Sequence, residues 1–490
     1  MMFKGRTVLA FVLLAVFASS IVTLTVSGPL DHRVVASLGQ GVAVSDEKPE
    51  EHPTEGGLNE EELAKLSAVY KLLEQKYVES VDRATLTEGA LDGLVQALED
   101  PYSEYLNAEE IASFSEHINS TFTGIGAEVA LQDGQVVVVS PIKNSPAERA
   151  GLMAGDVILS VNGDSLQGLD LTEAVEKIRG PKGTQAKLQI QRKGSTAVMD
   201  IIVVRDDISL ETVEASMLEG GIGLIGIRQF AVSTGDRFLE ELAKLEKQRM
   251  KGLVIDVRNN PGGVVQAVQA IAEAFVPKGE TIMHLEYRDG KREKTTAQSP
   301  GKNYPVVVLI NEGSASASEI LAAAIQESAG GTLIGKTTFG KGLVQSTVQL
   351  SDGSGVKLTI AKWLTPDGDT IHKTGVKPDI VVEQPKLFEA VAISKEQELV
   401  FDMAGDEVKN VQLILEGLGF DPGRTDGYFS EGTKSAVEAF QKANDLPANG
   451  AVDEATAMKL EERVIQRYLD PENDAQLKEA VKQIQKMLSR

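Results

Sequence analysis

The sequence predicts a multidomain protein of the mixed α/β (α+β) class, and three observations lead to this prediction. The chain has 490 residues, which is more than a single hydrophobic core usually serves. Apolar segments of strand length alternate with helical ones over most of the chain, whereas residues 406–465 have helical periodicity only. A polar stretch, residues 31–57, separates an apolar N-terminal segment from the rest. We therefore expect an N-terminal membrane anchor, a helical region, a β-rich domain, an α/β core with a mixed sheet and a small all-α domain.

Changes in composition and periodicity divide the chain into eight segments. In order they are a signal peptide or membrane anchor (1–30), a flexible linker (31–57), a helical N-terminal region (58–118), a β-rich domain (119–205), an α/β core (206–385), a second linker (386–405), a helical domain (406–465) and a C-terminal helix (466–490).

Charge and composition exclude several classes of function. The formal net charge is −23, which argues against nucleic-acid binding because that needs a basic face opposite the phosphates. The chain has no cysteine, so it contains neither a disulfide nor a thiol nucleophile. The histidines form no zinc motif, and the sequence predicts neither a metal site nor a cofactor.

The N-terminal segment has the pattern of an export signal or a membrane anchor. Lys4 and Arg6 precede residues 8–26, which carry no charge and are long enough to nearly span a bilayer core. No convincing small-residue cleavage motif precedes Pro29, which favours an uncleaved anchor. Everything after Ser27 is then expected outside the membrane, so the predicted location is extracytoplasmic, membrane-anchored or secreted.

A Ser-rich turn between a buried strand and a helix is the first place where the sequence indicates chemistry. The strand is predicted at Val306–Ile310, and Ser314, Ser316 and Ser318 follow it. A hydroxyl at the start of a helix lies beside free backbone N–H groups that favour negative charge. Serines in such turns are most often helix caps, and composition alone does not choose among the three.

Lys341 is the residue best suited to act as a base for such a serine. Histidine is the usual base, but none of the five histidines lies in a motif that makes it an obvious partner. Phe339 and Leu343 give Lys341 apolar neighbours, which favour a neutral amine. Gln345, four residues further on, is placed to orient that amine.

A second glycine-rich turn follows another predicted strand. Residues 256–263 (DVRNNPGG) place Gly262 and Gly263 between a strand and a helix, where backbone N–H groups are exposed. Most turns of this kind have no chemical role.

The β-rich domain resembles a PDZ domain. The resemblance rests on a run matching AGL..GD.I..VNG, which is formed by Ala150, Gly151, Leu152, Gly155, Asp156, Ile158, Val161, Asn162 and Gly163. PDZ domains bind an extended C-terminal peptide as an added strand and hold its carboxylate in backbone N–H groups. By position, Gly124, Ile125 and Gly126 would form that carboxylate loop.

Residues 406–465 contain two similar loop-then-helix stretches, 425–437 and 448–460, which indicate a small internal repeat. They resemble the peptidoglycan-binding modules of cell-wall enzymes at Asp426, Gly427, Phe429, Thr433, Ala436, Phe440, Gln441, Leu446, Gly450, Val452, Thr456 and Leu460. The resemblance implies peptidoglycan as a partner, although such modules also serve as spacers.

Together, the PDZ-like domain, DVRNNPGG, GSASASEI and TTFGKGLVQ resemble the carboxyl-terminal processing (tail-specific) serine peptidases over roughly residues 58–385. The resemblance implies that Ser316 is the nucleophile and Lys341 the general base of a Ser/Lys dyad, with Gln345 positioning the lysine. It also implies an oxyanion hole made by the N–H groups of Ala317 and Gly262.

The expected function is therefore that of an exported serine endopeptidase that captures C-terminal tails of protein substrates through its PDZ domain. The resemblance further implies gating by the PDZ domain and pairing of two subunits, and Arg179 is a candidate for coupling the PDZ domain to the catalytic region. Two alternatives stay open: a non-catalytic PDZ and wall-binding adaptor with an inactive hydrolase core, and a cell-wall hydrolase.

Overall fold

The computed structural model describes residues 57–132, 134–192 and 197–489. The predicted anchor and nearly all of the predicted linker at 31–57 lie outside these residues. The described chain forms two compact units, of which one comprises 211–343 and 362–489, and the other the described residues up to Leu210 together with 344–361. No helix of the described residues is long and apolar enough to cross a bilayer.

The N-terminal region is helical, as predicted. Its elements are α1 Glu60–Lys76, α2 Arg83–Gln96, β1 Glu104–Leu106 and α3 Ala108–Asn119. Helix α1 begins at Asn59, whose side chain forms a capping box with Glu62. No residue of α1 is buried, and its apolar stripe, which includes Leu63 and Leu66, faces solvent within the described chain.

The PDZ-like region is built mainly of β-strands. Its elements are β2 Thr121–Gly124, β3 Ala127–Gln132, β4 Gln135–Pro141, α4 Pro146–Arg149, β5 Val157–Val161, β6 Asp164–Ser165, α5 Leu171–Ile178, β7 Gln185–Gln191, β8 Val198–Val204 and β9 Asp206–Ser209. The strands β3, β4, β5, β7 and β8 form one sheet in this order, with β3 at one edge and the short β6 paired with β5. Alternating inward side chains such as Val138, Leu188 and Ile190 form the core. Helix α5 contacts the edge strand β3.

The larger unit is built on a six-stranded mixed sheet. Its elements are β10 Val213–Leu218, β11 Ile222–Ile227, α6 Thr234–Lys247, β12 Gly252–Asp256, α7 Val265–Glu273, β13 Thr281–Tyr287, β14 Arg292–Thr296, β15 Val306–Ile310, α8 Ala317–Ala323, β16 Thr332–Gly335 and β19 Ile380–Val381. The strands β17 Leu343–Gln349 and β18 Gly355–Leu364 lie mostly within the stretch 344–361, which groups with the other unit. The sheet order is β10-β11-β12-β15-β16-β19, in which β11 to β19 run parallel and β10 is antiparallel at the edge. Helix α8 continues as a π-helical turn, Ala324–Ser328.

Both faces of this sheet are covered, which explains why all five residues of β15 are buried. Val307 and Leu309 pack against α12 (Ala475–Leu488), whose Ile484 is fully buried. Since successive side chains of a strand point to opposite faces, Val308 faces away from α12. On that opposite face a Cβ at Gly223 would meet Leu245 of α6.

The parallel strands bring three loops to one edge of the sheet. The segment after β12 carries residues 257–263, the segment after β15 carries residues 311–316, and the segment after β16 leads to residues 336–342. The carboxyl ends of parallel strands are where sheets of this type place their binding and catalytic loops. The two glycine-rich turns and the Ser-rich turn therefore meet there.

The C-terminal helical domain confirms the internal repeat. Its helices are α9 Asp406–Leu418, α10 Glu431–Ala443 and α11 Glu454–Leu469. Gln412 and Gln441 occupy equivalent buried positions: each accepts a glycine N–H, from Gly427 and Gly450 respectively, and donates to a threonine six residues after that glycine. The segment 386–405, predicted as a linker, adds Leu387, Ile393 and Leu399 to this core, because its apolar residues pack against the helices.

We predict that Ile484→Ala will weaken the larger unit. The side chain is fully buried between α12 and the sheet, so its truncation should lower the free energy of unfolding by about 2–5 kcal/mol. Lys482→Ala on the exposed side of α12 is the matched control and should change it by less than about 0.5 kcal/mol. Urea unfolding followed by circular dichroism measures both, and equal midpoints for the two variants would contradict the packing described.

Candidate active site

Ser316 lies on a strained turn between β15 and α8. Its backbone has φ 57° and ψ −110°, a conformation that L-residues rarely adopt. A serine held in this way at a sharp strand-to-helix turn is the arrangement that presents a nucleophilic hydroxyl above a sheet. The side chain is fully buried, and its Oγ has no hydrogen-bond partner in the structure.

The hydrogen bonds of the Ser-rich turn separate the three serines. Ser314 Oγ donates to the carbonyl oxygen of Val257 over 2.8 Å, and Ser318 Oγ donates to that of Asn260 over 2.8 Å. Both hydroxyls therefore fasten the Ser-rich turn to the segment after β12. Of the three serines, Ser316 is the one whose hydroxyl has no hydrogen-bond partner.

Gly262 lies against the Ser316 turn so closely that no side chain fits. A Cβ at this position would stand 2.9 Å from Ser316 Cβ and 3.0 Å from the nitrogen of Ala317. The φ of +106° also favours glycine. The Gly262 N–H donates to Asn260 Oδ1 over 2.9 Å, and Asn260 Nδ2 donates to the carbonyl oxygen of Ile227. The two amides predicted to form the oxyanion hole are thus neighbours, and the amide of Gly262 is engaged by Asn260.

Lys341 is almost completely buried, with 1% of its surface exposed. Both backbone polar groups of Lys341 are hydrogen-bonded to buried side chains of the larger unit. The Lys341 N–H donates to Glu319 Oε2, and the Lys341 carbonyl accepts the indole N–H of Trp363 over 2.8 Å. The next carbonyl, that of Gly342, accepts the backbone N–H of Trp363. The Phe339 N–H donates to the carbonyl of Ser314, which joins the lysine segment to the Ser-rich turn.

Glu319 is the most deeply buried carboxylate of this region, and four donors surround it. Oε2 accepts the N–H groups of Ser316 at 2.7 Å and Lys341 at 2.9 Å. Oε1 accepts the N–H of Gly340 at 2.7 Å and the hydroxyl of Thr338 at 2.5 Å. Burial raises the pKa of the Glu319 carboxyl above its ordinary value, while these four hydrogen bonds act in the opposite direction because they favour the charged form.

Gln345 is buried, and only the nitrogen of its side-chain amide is hydrogen-bonded. Nε2 donates to Thr359 Oγ1 over 3.1 Å, and Oε1 has no hydrogen-bond partner in the structure. Both residues lie in the stretch 344–361, which groups with the N-terminal unit. The free amide oxygen leaves Gln345 able to accept one further hydrogen bond.

Arg258 anchors the turn that carries Gly262. Its guanidinium donates to Asp256 and to Asp474, the N-cap residue of α12, and also to Gln476. Burial disfavours the charge of Arg258, but the attraction of Asp256 and Asp474 is larger and raises the pKa of the guanidinium above its ordinary value. The helix that covers the sheet thus also fixes the glycine-rich turn.

The predicted carboxylate loop of the PDZ-like domain lies between β2 and the edge strand β3. Ile125 is buried in the domain core, and its carbonyl accepts the N–H of Ala147. A Cβ at Gly126 would stand 2.3 Å from Ser145 Cβ, so only glycine fits. Beside Gly124, the Arg179 guanidinium lies 5.3 Å from the ring centroid of Phe122.

A cavity of about 530 Å³ opens at the carboxyl edge of the sheet of the larger unit, apart from the candidate catalytic residues. Asp256, Arg258, Asn311 and Lys336 are among its lining residues. Ser316, Lys341, Gly262 and Ala317 are not, so the cavity is not where the candidate catalytic groups meet.

Sequence reasoning missed Glu319, Trp363 and Arg258 as parts of the site. A signal for Glu319 was present, because S-x-x-E before an apolar run is the pattern of a capping box, and the Glu319 carboxylate does accept the N–H of Ser316. No local pattern marks Trp363 or the bond of Arg258 to Asp474, since the partners of these bonds lie 22 and 216 residues away in the sequence.

Four family models match this chain. Residues 221–382 match peptidase family S41, 137–192 a PDZ domain, 32–110 the N-terminal domain of the activating protease CtpB, and 404–460 a peptidoglycan binding domain.

Known proteins match over most of the length. The chain is 45% identical over 426 residues to the carboxy-terminal processing protease CtpB of Bacillus subtilis (strain 168), covering 86% of this chain and 89% of that protein. It is 40% identical to CtpA of the same organism, covering 86% and 90%. Among solved structures, the photosystem II D1 C-terminal processing protease matches with a TM-score of 0.40 and 29% identity, covering 66% of this chain and 94% of that one.

The match to peptidase family S41 and the similarity to two carboxy-terminal processing proteases define a serine peptidase, a hydrolase of peptide bonds. More particularly, the chain belongs to the carboxy-terminal processing proteases of family S41, with a PDZ domain and a peptidoglycan-binding-like domain.

We predict that Gly262→Ala will remove most of the peptidase activity. The added Cβ would collide with the Ser316 turn, and a displacement of about 1 Å in a reacting group costs on the order of 100-fold in rate. Gly279→Ala is the matched control: its φ is also positive, at +88°, but nothing lies within 4 Å of the new Cβ. The control should cost about 1 kcal/mol of stability and leave kcat unchanged. Equal kcat values for the two variants would show that the close approach of Gly262 is unimportant.

Proposed function

We propose that this chain is a Ser/Lys-dyad endopeptidase that cleaves exported protein substrates presented by their C-terminal tails. The observation that carries the proposal is the pairing of Ser316 and Lys341: both are buried, and their amides share one oxygen of Glu319. Ser316 is the nucleophile, Lys341 the general base, and Gln345 the residue that orients the lysine.

In the first step, Ser316 Oγ attacks the scissile carbonyl carbon while the neutral amine of Lys341 takes the hydroxyl proton. Burial of the lysine favours this chemistry, because water-excluded surroundings disfavour the ammonium form. The uncommitted Oγ needs to break no hydrogen bond before it attacks. Gln345 Oε1 would accept a hydrogen bond from an N–H of the lysine amine and so direct the nitrogen lone pair towards the serine.

The tetrahedral intermediate carries an oxyanion that needs two donors. Ala317 is the first residue of α8, and its N–H points out of the N-terminus of the helix, where the dipole favours negative charge. Gly262 supplies the second N–H by exchanging its bond to Asn260 Oδ1 for one to the charged oxyanion. Charge-assisted bonds of this kind are about twice as strong as neutral ones, which favours the exchange.

The Lys341 ammonium then protonates the leaving amine, the carbon–nitrogen bond breaks, and an acyl-enzyme remains on Ser316 Oγ. Water, deprotonated by the neutral Lys341, attacks the ester carbonyl through the same oxyanion site. The proton returns from Lys341 to Ser316 Oγ as the product acid leaves, which restores the enzyme.

The PDZ domain is proposed to deliver the substrate. PDZ domains bind peptide tails, and the edge strand β3 beside α5 offers free backbone groups to an added strand. The tail carboxylate would be held by the loop Gly124, Ile125 and Gly126. Recognition through main-chain bonds predicts loose specificity with an apolar terminus.

Arg179 is the proposed link between tail binding and activity. Its guanidinium lies over Phe122, in the strand that leads to the carboxylate loop, and 3.9 Å from Glu116. A substrate tail that displaced the carboxylate loop would move the Phe122 ring away from Arg179. The guanidinium would then lose its contact with Phe122, and this change would couple tail binding to the catalytic region.

The proposed location is extracytoplasmic, at the membrane and the wall. The basic residues Lys4 and Arg6 ahead of the apolar residues 8–26 support an anchor or signal. The match of residues 404–460 to a peptidoglycan-binding model supports association with the wall. The exposed apolar stripe of α1 supports pairing of two subunits.

We predict that Ser316→Ala and Lys341→Ala will each abolish cleavage of a disordered protein such as fluorescein-labelled casein by the full chain. Loss of a nucleophile or its base lowers kcat by about 10⁴-fold or more. Release of labelled fragments measures the rate. Ser351→Ala is the matched control, because that serine is exposed in the turn after β17 and the mechanism gives it no role.

The same assay decides among the alternatives. If the wild-type chain and Ser316→Ala release fragments at the same rate, the dyad is wrong; if neither cleaves but both bind tail peptides, the chain is an adaptor. Release of soluble muropeptides from isolated walls, dependent on Ser316, would identify a wall hydrolase instead.

We predict that Arg179→Ala will change the stimulation of cleavage by added tail peptide without changing tail binding. Lys177→Ala, at the same end of α5 and paired with Asp164, is the matched control and should behave as wild type. Fluorescence anisotropy of a labelled peptide measures binding, and casein cleavage measures stimulation. Unchanged stimulation in Arg179→Ala would remove this residue from the coupling.

A further inference from the structure

Glu319 occupies a position that the chemistry described above does not use. Its carboxylate is fully buried, yet its four hydrogen-bond partners all belong to the segments that carry the nucleophile and the base. A buried carboxylate is costly unless such donors satisfy it, so a role in stability alone would be met more cheaply by an apolar side chain.

We propose that Glu319 is the positioning residue that sets the separation of nucleophile and base; this inference rests on the Ser316/Lys341 function proposed above. One oxygen atom, Oε2, accepts both the Ser316 and the Lys341 N–H groups. The two amide nitrogens therefore lie no further apart than the sum of two short hydrogen bonds. The distance between two residues on different loops is thus fixed by a single atom.

The second oxygen fixes the orientation of the carboxylate. Oε1 accepts the Gly340 N–H and the Thr338 hydroxyl, and Thr338 Oγ1 in turn accepts the N–H of Val376. Four donors occupy the four lone-pair directions of an ionised carboxylate. An amide offers one oxygen only, and its NH₂ group would face N–H or O–H donors.

The strained backbone of Ser316 needs such a restraint. Its φ of 57° with ψ −110° is a conformation that persists only when surrounding contacts hold it. The Glu319 carboxylate binds the N–H of Ser316 itself, and the Glu319 N–H donates to the Ser316 carbonyl over 2.9 Å. The carboxylate therefore stabilises the turn that presents the hydroxyl as well as the segment that presents the amine.

The test compares Glu319→Gln with the wild-type full chain on an internally quenched peptide with an apolar C-terminus. We expect kcat to fall by about 100-fold, as for a displacement of about 1 Å, with KM unchanged because the tail is captured elsewhere. Glu327→Gln is the matched control, since that glutamate lies in the following π-helical turn and contacts the backbone of Asp367. A folded Glu319→Gln chain with wild-type kcat, or with a changed KM alone, overturns the inference.

A spectroscopic signature tests the positioning without relying on activity. Trp363 is the only tryptophan of the chain, and its indole N–H donates to the Lys341 carbonyl. In Glu319→Gln the lysine segment should shift, so Trp363 emission and its quenching by acrylamide should change, while Glu327→Gln should match the wild type. Unchanged emission in Glu319→Gln overturns the inference. If cleavage by the wild-type chain is independent of Ser316, the proposed function fails. An emission change in Glu319→Gln would even then support the role of Glu319 in holding the Ser316 and Lys341 segments together.

If Glu319→Gln does not fold, Thr338 provides the second variant. Thr338→Val removes one donor from Oε1 at nearly constant volume, and Thr338→Ser keeps the hydroxyl. We expect kcat to fall by about 10-fold in the valine variant, as for one lost hydrogen bond to a charged group, and to be restored in the serine variant. A folded Thr338→Val chain with wild-type kcat and emission overturns the inference.

Discussion

Helices cover both faces of the parallel sheet in the larger unit, and the candidate active site depends on this burial. With α12 on one face and α6 on the other, the strands must be apolar throughout, and their polar connections are confined to the sheet edges. At the carboxyl edge, three connections are forced into contact. Chemistry that needs a hydroxyl, an amine and bare backbone N–H groups within a few ångströms is therefore assembled from three loops, none of which is sufficient alone.

The loops are held together mainly by groups that do no chemistry. Ser314 and Ser318 tie the Ser-rich turn to the glycine-rich turn, Arg258 ties the glycine-rich turn to α12, and Trp363 supports the lysine segment. Each bond ends on a backbone group or on an oppositely charged side chain, so the geometry depends little on flexible contacts. Such support is what allows a residue like Ser316 to remain in an unfavourable backbone conformation.

Much of this arrangement follows from local sequence. The apolar residues 306–310 predicted the strand β15, and another predicted strand, β12, preceded the turn DVRNNPGG. The resemblance to the tail-specific peptidases implied that this turn meets the Ser-rich turn. Composition alone left the choice among three serines open, and only the family resemblance pointed to Ser316, because the distinction depends on where Val257 and Asn260 place their carbonyls. For the same reason two partners of Arg258, Asp474 and Gln476, could not be predicted, since they come from a helix more than 200 residues away.

Some boundaries also depended on tertiary contacts. The Ala-rich stretch after Ser316 has uniform helical propensity, so no local sequence pattern predicts that α8 changes to a π-helical turn at Ala324. The segment 386–405 has no clear helical or strand periodicity, and its three buried apolar side chains are recognisable only beside the helices that cover them.

The position of α12 in the chain has a consequence for how the molecule is made. This helix closes one face of the sheet and holds Arg258, but it follows the entire peptidoglycan-binding-like domain in the sequence. While the chain emerges from a ribosome or a translocation channel, the sheet has an uncovered apolar face and an unanchored glycine-rich turn. The candidate catalytic loops of the nascent protein therefore lack the support of α12 until that helix has been synthesised.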